Sequence, residues 1–185
     1  QGKMALYEES LAKFEAGRKA HGDSYTFVLQ NASFTGAYTE TTFVVQGGKV
    51  VERRYKRGHY NQKDYKYAKE WVERGAELGT HKDEGERVQT MVDVYKAAKS
   101  YAEGADENEA EKKNGKAEEN DGKLRIMPND YFFSVGKDGL IDTAGYRPRG
   151  CMDDCFRGYH VRNFAWGALP DAPKGKKGKK GKRQK

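Results

Sequence analysis

Residues 41–55 read TTFVVQGGKVVERRY, and this stretch decides the fold class. Apolar side chains at Phe43 and Val45 recur at every second position, which is the period of a half-buried strand. A Gly47-Gly48 pair separates that run from a second strand-forming run. Two glycines between two such runs are typical of a tight hairpin turn. We therefore predict an antiparallel hairpin here, with Phe43 and Val45 in the core.

Other strands are predicted by the same alternation on either side of this hairpin. A run at 25–29 has Tyr, Phe and Leu at alternate positions, and a run at 131–135 has Tyr, Phe and Val. Lys137-Asp138-Gly139 predicts a tight turn after the second run, and residues 159–166 predict a final strand. The runs at 25–29 and 131–135 resemble each other, which hints at an internal duplication.

Three helices are predicted from apolar positions three and four residues apart. The first spans 3–20, with Met4, Tyr7, Leu11 and Phe14 on one face. The second spans 62–74. The third spans 83–102, where Thr80 and Asp83 have the spacing of a capping box.

These elements predict an α+β fold, in which a curled antiparallel sheet has helices packed on one face. We expect Phe43, Val45, Tyr131 and Phe133 in its core. Residues 1–170 are predicted to form a single α+β domain, which suits a chain of 185 residues.

Residues 103–122 interrupt this pattern. They contain eight acids, three lysines and three glycines, with no aliphatic side chain larger than alanine. Such a composition buries too little apolar surface to offset the entropy of ordering. We predict an acidic flexible segment at 103–122.

The C-terminal residues 171–185 are predicted to be a disordered basic tail. The chain has 35 basic and 28 acidic side chains, and the tail holds eight of the basic ones, so the rest is nearly neutral. The sequence therefore predicts no basic surface on the fold itself. The polyanion-binding residues predicted in the tail are Lys174, Lys176, Lys177, Lys179, Lys180, Lys182, Arg183 and Lys185. Such a tract could also serve as a nuclear localisation signal or a solvated end.

Cys151 and Cys155 are the only cysteines. Three intervening residues can close a local disulfide across a turn, and we predict one. Free buried thiols or half of a metal site are the alternatives, although two cysteines supply only two of the four ligands that zinc requires.

No motif predicts a catalytic, cofactor-binding or metal site. The four histidines have no ligand spacing, and Asp153-Asp154 alone offers calcium too few oxygens. Asn31-Ala32-Ser33 is a glycosylation sequon at Asn31. No apolar run of membrane-spanning length occurs, so we predict no membrane partner. A chain that starts at Gln1 fits a mature secreted protein and equally fits a fragment of a longer chain.

The runs at 25–29 and 41–51 resemble the cystatin-like folds, small secreted domains in which a curled antiparallel sheet wraps a helix. The chain lacks the Gln-x-Val-x-Gly loop of cystatins, so the resemblance does not imply protease inhibition. The glycine-, lysine- and tyrosine-rich composition, acidic block and basic tail are similar to secreted matrix proteins of mollusc shells.

These features favour a non-enzymatic, secreted extracellular matrix or biomineral-associated protein. Its expected partners are acidic polysaccharide, acidic matrix protein or a mineral surface, bound through the tail. Two alternatives stay open: a nucleic-acid-associated protein with a basic tail, and an enzyme or small-ligand binder that uses a cavity in the curled sheet.

Overall fold

A computed structural model describes residues 1–113 and 128–167 of the chain. The helices are α1 (Lys3–Ala20) and α2 (Met91–Lys113), with a short 3-10 turn at Gly75–Glu77. The strands are β1 (Tyr25–Ala32), β2 (Ala37–Gln46), β3 (Lys49–His59), β4 (Lys69–Arg74), β5 (Asn129–Val135), β6 (Ile141–Pro148) and β7 (Arg157–Trp166).

The seven strands form one antiparallel sheet in the order β4-β3-β2-β1-β7-β6-β5. The sheet curls without closing, and both helices pack on it. The predicted α+β class is therefore confirmed. A helix followed by three antiparallel strands occurs twice along the chain, and β4 extends the first half at the sheet edge.

The predicted hairpin is confirmed. Gly47 and Gly48 connect β2 to β3 with φ angles of +54° and +77°, which glycine adopts without steric cost. Phe43 of β2 lies opposite Phe27 of β1, and their rings stack at 4.9 Å between centroids. The glycine turn and the alternation of apolar side chains along β2 therefore agree on how β2 pairs with its neighbours.

The core lies between the helices and the sheet. Phe14 of α1 is fully buried, and Phe43, Val45 and Phe133 are buried as predicted. Tyr131 is only half-buried, because its ring lies across Gly104 of α2 at the sheet edge. A β-carbon at Gly104 would approach that ring to 2.6 Å, so the packing there depends on the absence of a side chain.

The predicted helix at 62–74 is wrong. Residues 69–74 form β4, which pairs with the open edge of β3 from Arg57↔Lys69 to Glu52↔Arg74. The helix prediction rests on a stripe of Tyr67, Ala68, Trp71 and Val72, but these side chains share no buried face, since Tyr67 and Val72 are 56% and 46% exposed. The free backbone groups of β3 give this stretch hydrogen-bond partners that a local pattern does not reveal.

The third predicted helix begins later than expected. Helix α2 starts at Met91, and the capping box is formed by Thr90 and Asp93 rather than by Thr80 and Asp83. Thr90 N–H and its hydroxyl donate to the Asp93 carboxylate at 2.9 and 2.8 Å. Residues 75–90 instead form an irregular strap over the part of the sheet that the helices leave uncovered.

The prediction of an acidic flexible segment is wrong for residues 103–113, which form the last turns of α2. Asp106 accepts hydrogen bonds from the Lys3 and Met4 amides, which caps α1. Buried Asn108 accepts from Tyr131 N–H at 2.7 Å. Polar side chains that the sequence predicts to be solvated therefore bind the first turn of α1 and strand β5.

Residues 114–122 of the predicted acidic segment and the predicted tail at 171–185 lie outside the described residues. Within the described parts of the chain, no helix combines the length and apolar character needed to cross a bilayer.

Candidate anion-binding groove

Strand β3 and the connection to β4 carry a local excess of positive charge. Residues 53–69 contain seven Lys or Arg side chains and a single acid, Asp64. Arg53 is buried, whereas Lys56, Lys63, Lys66 and Lys69 are exposed. The balanced charge of the whole body therefore conceals a basic region, contrary to the prediction that the fold carries none.

Tyrosines are interleaved with these cations. Tyr38 of β2 lies flat across Gly58 of β3, where a β-carbon would approach its hydroxyl to 2.6 Å. Its ring also stacks on Tyr60 at 4.7 Å between centroids. Next to this pair, the ring of Tyr65 lies 5.4 Å from that of His59 and 5.7 Å from that of Tyr67, measured between centroids. Gly58 thus permits an aromatic platform at the end of the hairpin.

A surface depression of about 460 Å³ lies beside this platform, and we name it the β3–β4 groove. Its charged lining consists of Lys56, Arg57, Lys63 and Lys69 against Glu70 alone. Lys69 is partly neutralised by Glu84, at 2.7 Å. Within the described residues, Lys56 and Lys63 form no ion pair.

Arg57 is held in place at the centre of the site. Its Nε donates to the Tyr67 carbonyl at 2.6 Å, and its Nη1 lies 3.9 Å from Glu84. A hydrogen bond and charge attraction from Lys69 hold the pKa of Glu84 below its usual range, so this carboxylate stays ionised at neutral pH. Glu84 therefore orients two of the cations that line the groove.

A second cavity, of about 330 Å³, lies on the other side of Tyr38 and Arg57, which line both. We name it the disulfide-loop pocket, because one wall comes from Asp154, inside the loop that the cysteines close, and from Phe156 and His160, which follow it. Pairing of β1 with β7 ends at Leu29↔Val161. Past that point Asn31 and His160 line the space between the separating strands.

The predicted disulfide between Cys151 and Cys155 is confirmed. It closes the connection between β6 and β7, immediately before Phe156, whose ring stacks on His160 at 4.3 Å. Among the described residues, no group of three or more His, Cys, Asp or Glu side chains is placed to hold a metal ion.

Burial lowers the pKa of His160, and the nearby Arg162 lowers it further, while Asp142 opposes both. Its Nδ1 lies 3.2 Å from the Thr143 hydroxyl. His160 is therefore neutral at physiological pH, and one ring nitrogen is occupied by a local contact.

We expect this histidine to make the protein less stable in mild acid. A pKa that is lower in the folded state means that the unfolded chain binds the proton more readily, so stability is lost as the pH falls below about 6.5. Urea unfolding at about pH 7.5 and about pH 5 should show a smaller loss for His160→Gln than for the unmodified chain. Equal losses in the two proteins would contradict this assignment.

The structure brings some predicted site residues to this region and leaves others aside. Asn31 is exposed at the end of β1, lines the disulfide-loop pocket and donates to Glu86 at 3.0 Å. The predicted tail lysines lie outside the described residues.

Sequence reasoning missed the groove residues Lys56, Arg57 and Lys63 and the pocket residue Phe156. The seven-to-one ratio of basic to acidic residues at 53–69 was the available signal, and the helix prediction at 62–74 obscured it.

Comparison with known proteins gives no relative. No protein-family model matches the chain, no curated protein is detectably similar in sequence, and no solved structure matches the fold.

Proposed function

We propose that this protein is a non-enzymatic binder of extracellular polyanions, and that acidic polysaccharide is its partner. One observation carries the proposal: the β3–β4 groove is lined by four cationic side chains and one carboxylate, beside exposed tyrosines. Clustered cations with few neighbouring acids attract anionic chains at long range. The lysine-rich tail adds eight further positive charges to the same chain.

The disulfide supports an extracellular location and thereby the choice of polysaccharide. Disulfides form and persist in oxidising compartments and are rare where thiols are kept reduced. Adsorption to an acidic matrix or to a mineral surface uses the same chemistry, so a matrix or biomineral role is part of this proposal. Single-stranded nucleic acid, which stacks on exposed aromatic rings, is the competing partner.

We expect the groove and the tail to contribute separately to binding. Lys56, Lys63, Lys66 and Lys69 are all exposed, so replacing them with Gln removes charge from the groove region without opening the core. The affinity for polygalacturonate should fall about tenfold, or ~1.4 kcal/mol. A chain that ends at Pro173 should also bind more weakly, and both losses should shrink with added salt.

A charge-matched control separates groove binding from net charge. Lys13, Lys19, Lys96 and Lys99 are equally exposed but lie on the two helices. Replacing these four with Gln changes the total charge by the same amount. On a heparin column, the groove variant should elute at lower salt than the control variant, in the full chain and in the chain that ends at Pro173. Coelution of the two variants would overturn the groove assignment.

Competition between polymers distinguishes the partner classes. Polygalacturonate should displace the protein from heparin at a lower concentration of charged groups than single-stranded DNA does. The reverse order would overturn the assignment to polysaccharide and favour the nucleic-acid-associated alternative.

A further inference from the structure

We propose that the disulfide-loop pocket is a second binding site, specific for a hydroxylated ring that carries one carboxylate, as in a uronic acid. The ring would be either a free sugar acid or the end of an acidic polysaccharide. This inference goes beyond the proposed function and stands even if the β3–β4 groove binds nothing.

The size and walls of the pocket suit one ring. Its volume of about 330 Å³ is near the lower end of the range for ligand sites, about 300–1,000 Å³. Ala32, Ala37 and Phe156 give it apolar surface. Phe156 lies over Gly145, where a β-carbon would approach the ring to 2.5 Å, so this aromatic wall is fixed by close packing.

Hydrogen-bonding groups without protein partners converge on the same space. Across the described residues, the hydroxyl of Thr39, a residue that lines the pocket, forms no hydrogen bond to the protein. His160 has one ring nitrogen engaged by Thr143, which leaves the other for a ligand. A free hydroxyl and a ring nitrogen beside an apolar wall suit a ring that carries several hydroxyls.

Arg57 supplies the charge complement for one carboxylate. Its Nε is fixed by the Tyr67 carbonyl, its guanidinium also contacts the Tyr55 hydroxyl, and its Nη1 lies 3.9 Å from Glu84. A positioned guanidinium binds a carboxylate with directional, charge-assisted hydrogen bonds. The contacts with the Tyr67 carbonyl and Glu84 hold this guanidinium in position before a ligand binds.

Asp154 at the pocket rim limits the charge of the ligand. Its carboxylate accepts a long hydrogen bond from Phe34 N–H at 3.4 Å, which joins the β1–β2 turn to the disulfide segment. A second negative charge on the bound ring would be repelled by this carboxylate. The pocket therefore favours a single carboxylate, whereas the groove favours an extended polyanion.

Titration calorimetry of the full chain with galacturonic acid tests the proposal, with galactose as the ring that lacks the carboxylate. We expect saturable one-to-one binding of galacturonic acid, and at least about tenfold weaker binding of galactose, because the charge-assisted bonds are absent. Galacturonic acid trimer separates the two sources. Tighter binding than the monomer, weakened to the same extent by Thr39→Val, indicates a chain end, and equal binding indicates a free acid.

Three variants place the ligand in the pocket. Arg57→Gln should weaken galacturonic acid binding at least about tenfold, and Thr39→Val should weaken it by several-fold while preserving side-chain shape. Lys63→Gln lies in the groove only and should leave this binding unchanged. The proposal is overturned if galacturonic acid does not bind, or if Thr39→Val and Arg57→Gln bind it as tightly as the unmodified chain. Failure of polygalacturonate binding alone would overturn only the proposed function.

Discussion

Replacing Glu73 with Gln should lower the free energy of unfolding by about 3–5 kcal/mol, because it leaves a buried guanidinium without its counter-charge. Arg53 and Glu73 are 2% and 1% exposed, and Arg53 Nε donates to the Glu73 carboxylate at 2.8 Å. The same carboxylate accepts from Gly79 N–H and His81 N–H at 2.8 and 2.7 Å. One side chain therefore joins β3, β4 and the strap at 75–90.

The strap is held to this pair from both sides. Arg53 donates from its two Nη atoms to the carbonyls of Glu86 and His81 at 2.8 and 2.9 Å. The His81 ring stacks on Trp71 at 4.3 Å, and Arg53 lies over the same indole at 4.7 Å. Loss of the Glu73 charge should release the strap and uncover strands β2 to β4.

Urea unfolding monitored by tryptophan fluorescence measures this effect. Glu70→Gln is the matched control, since Glu70 lies on the same strand but is exposed, and it should change stability by less than about 0.5 kcal/mol. Arg53→Met combined with Glu73→Gln should cost less than the sum of the single changes, because neither charge is then left unpaired. A loss below about 1 kcal/mol for Glu73→Gln would contradict the role assigned to the pair.

The same pair sets the response to acid. Burial alone would raise the pKa of Glu73, but hydrogen bonds from Arg53, His81 and Gly79 hold it well below the ordinary value of 4.5. A lowered folded-state pKa gives stability that is present above the unfolded pKa and is lost as the pH falls below it. The loss below about pH 4.5 should therefore be steeper in the unmodified chain than in Glu73→Gln.

Replacing Phe14 with Ala should cost about 3–5 kcal/mol, because it opens a cavity at the centre of the core. Phe14 is fully buried and stacks on Tyr95 and Trp166, with ring centroids 4.7 and 5.8 Å away. It also contacts Tyr25 edge-on at 5.6 Å. In the unmodified chain the Phe14 ring therefore joins α1 to α2 and to the strands of both halves.

The matched control is the same substitution at an exposed site. Phe34 in the β1–β2 turn is 81% exposed, so Phe34→Ala should change the free energy of unfolding by less than about 0.5 kcal/mol. Urea titrations of the two variants compare the loss of unfolding free energy for a buried and an exposed phenylalanine. Similar losses at both positions would contradict the placement of Phe14 in the core.

The sequence by itself determined the elements whose signals are local. The Gly47-Gly48 turn and the alternation around Phe43 predict the hairpin, because a strand period and a tight turn need only neighbouring residues. The stripe that contains Tyr7 and Phe14 predicts α1 within its observed bounds for the same reason. The spacing of Cys151 and Cys155 predicts their disulfide, since both ends lie in one short connection.

Only the tertiary structure decided the elements that depend on distant partners. Residues 69–74 fit a helical stripe, yet the free edge of β3 makes them a strand. Glu73 lies twenty residues from Arg53 in the chain, and no local pattern reveals that they pair. The pocket likewise takes its walls from β1, β2, β3 and β7, so Tyr38, Arg57 and His160 come to line one space only after the sheet has formed. The groove takes its walls from β2, β3, β4 and the segment that precedes β4. Long-range pairing therefore determines where the charges and the open hydrogen-bonding groups come together.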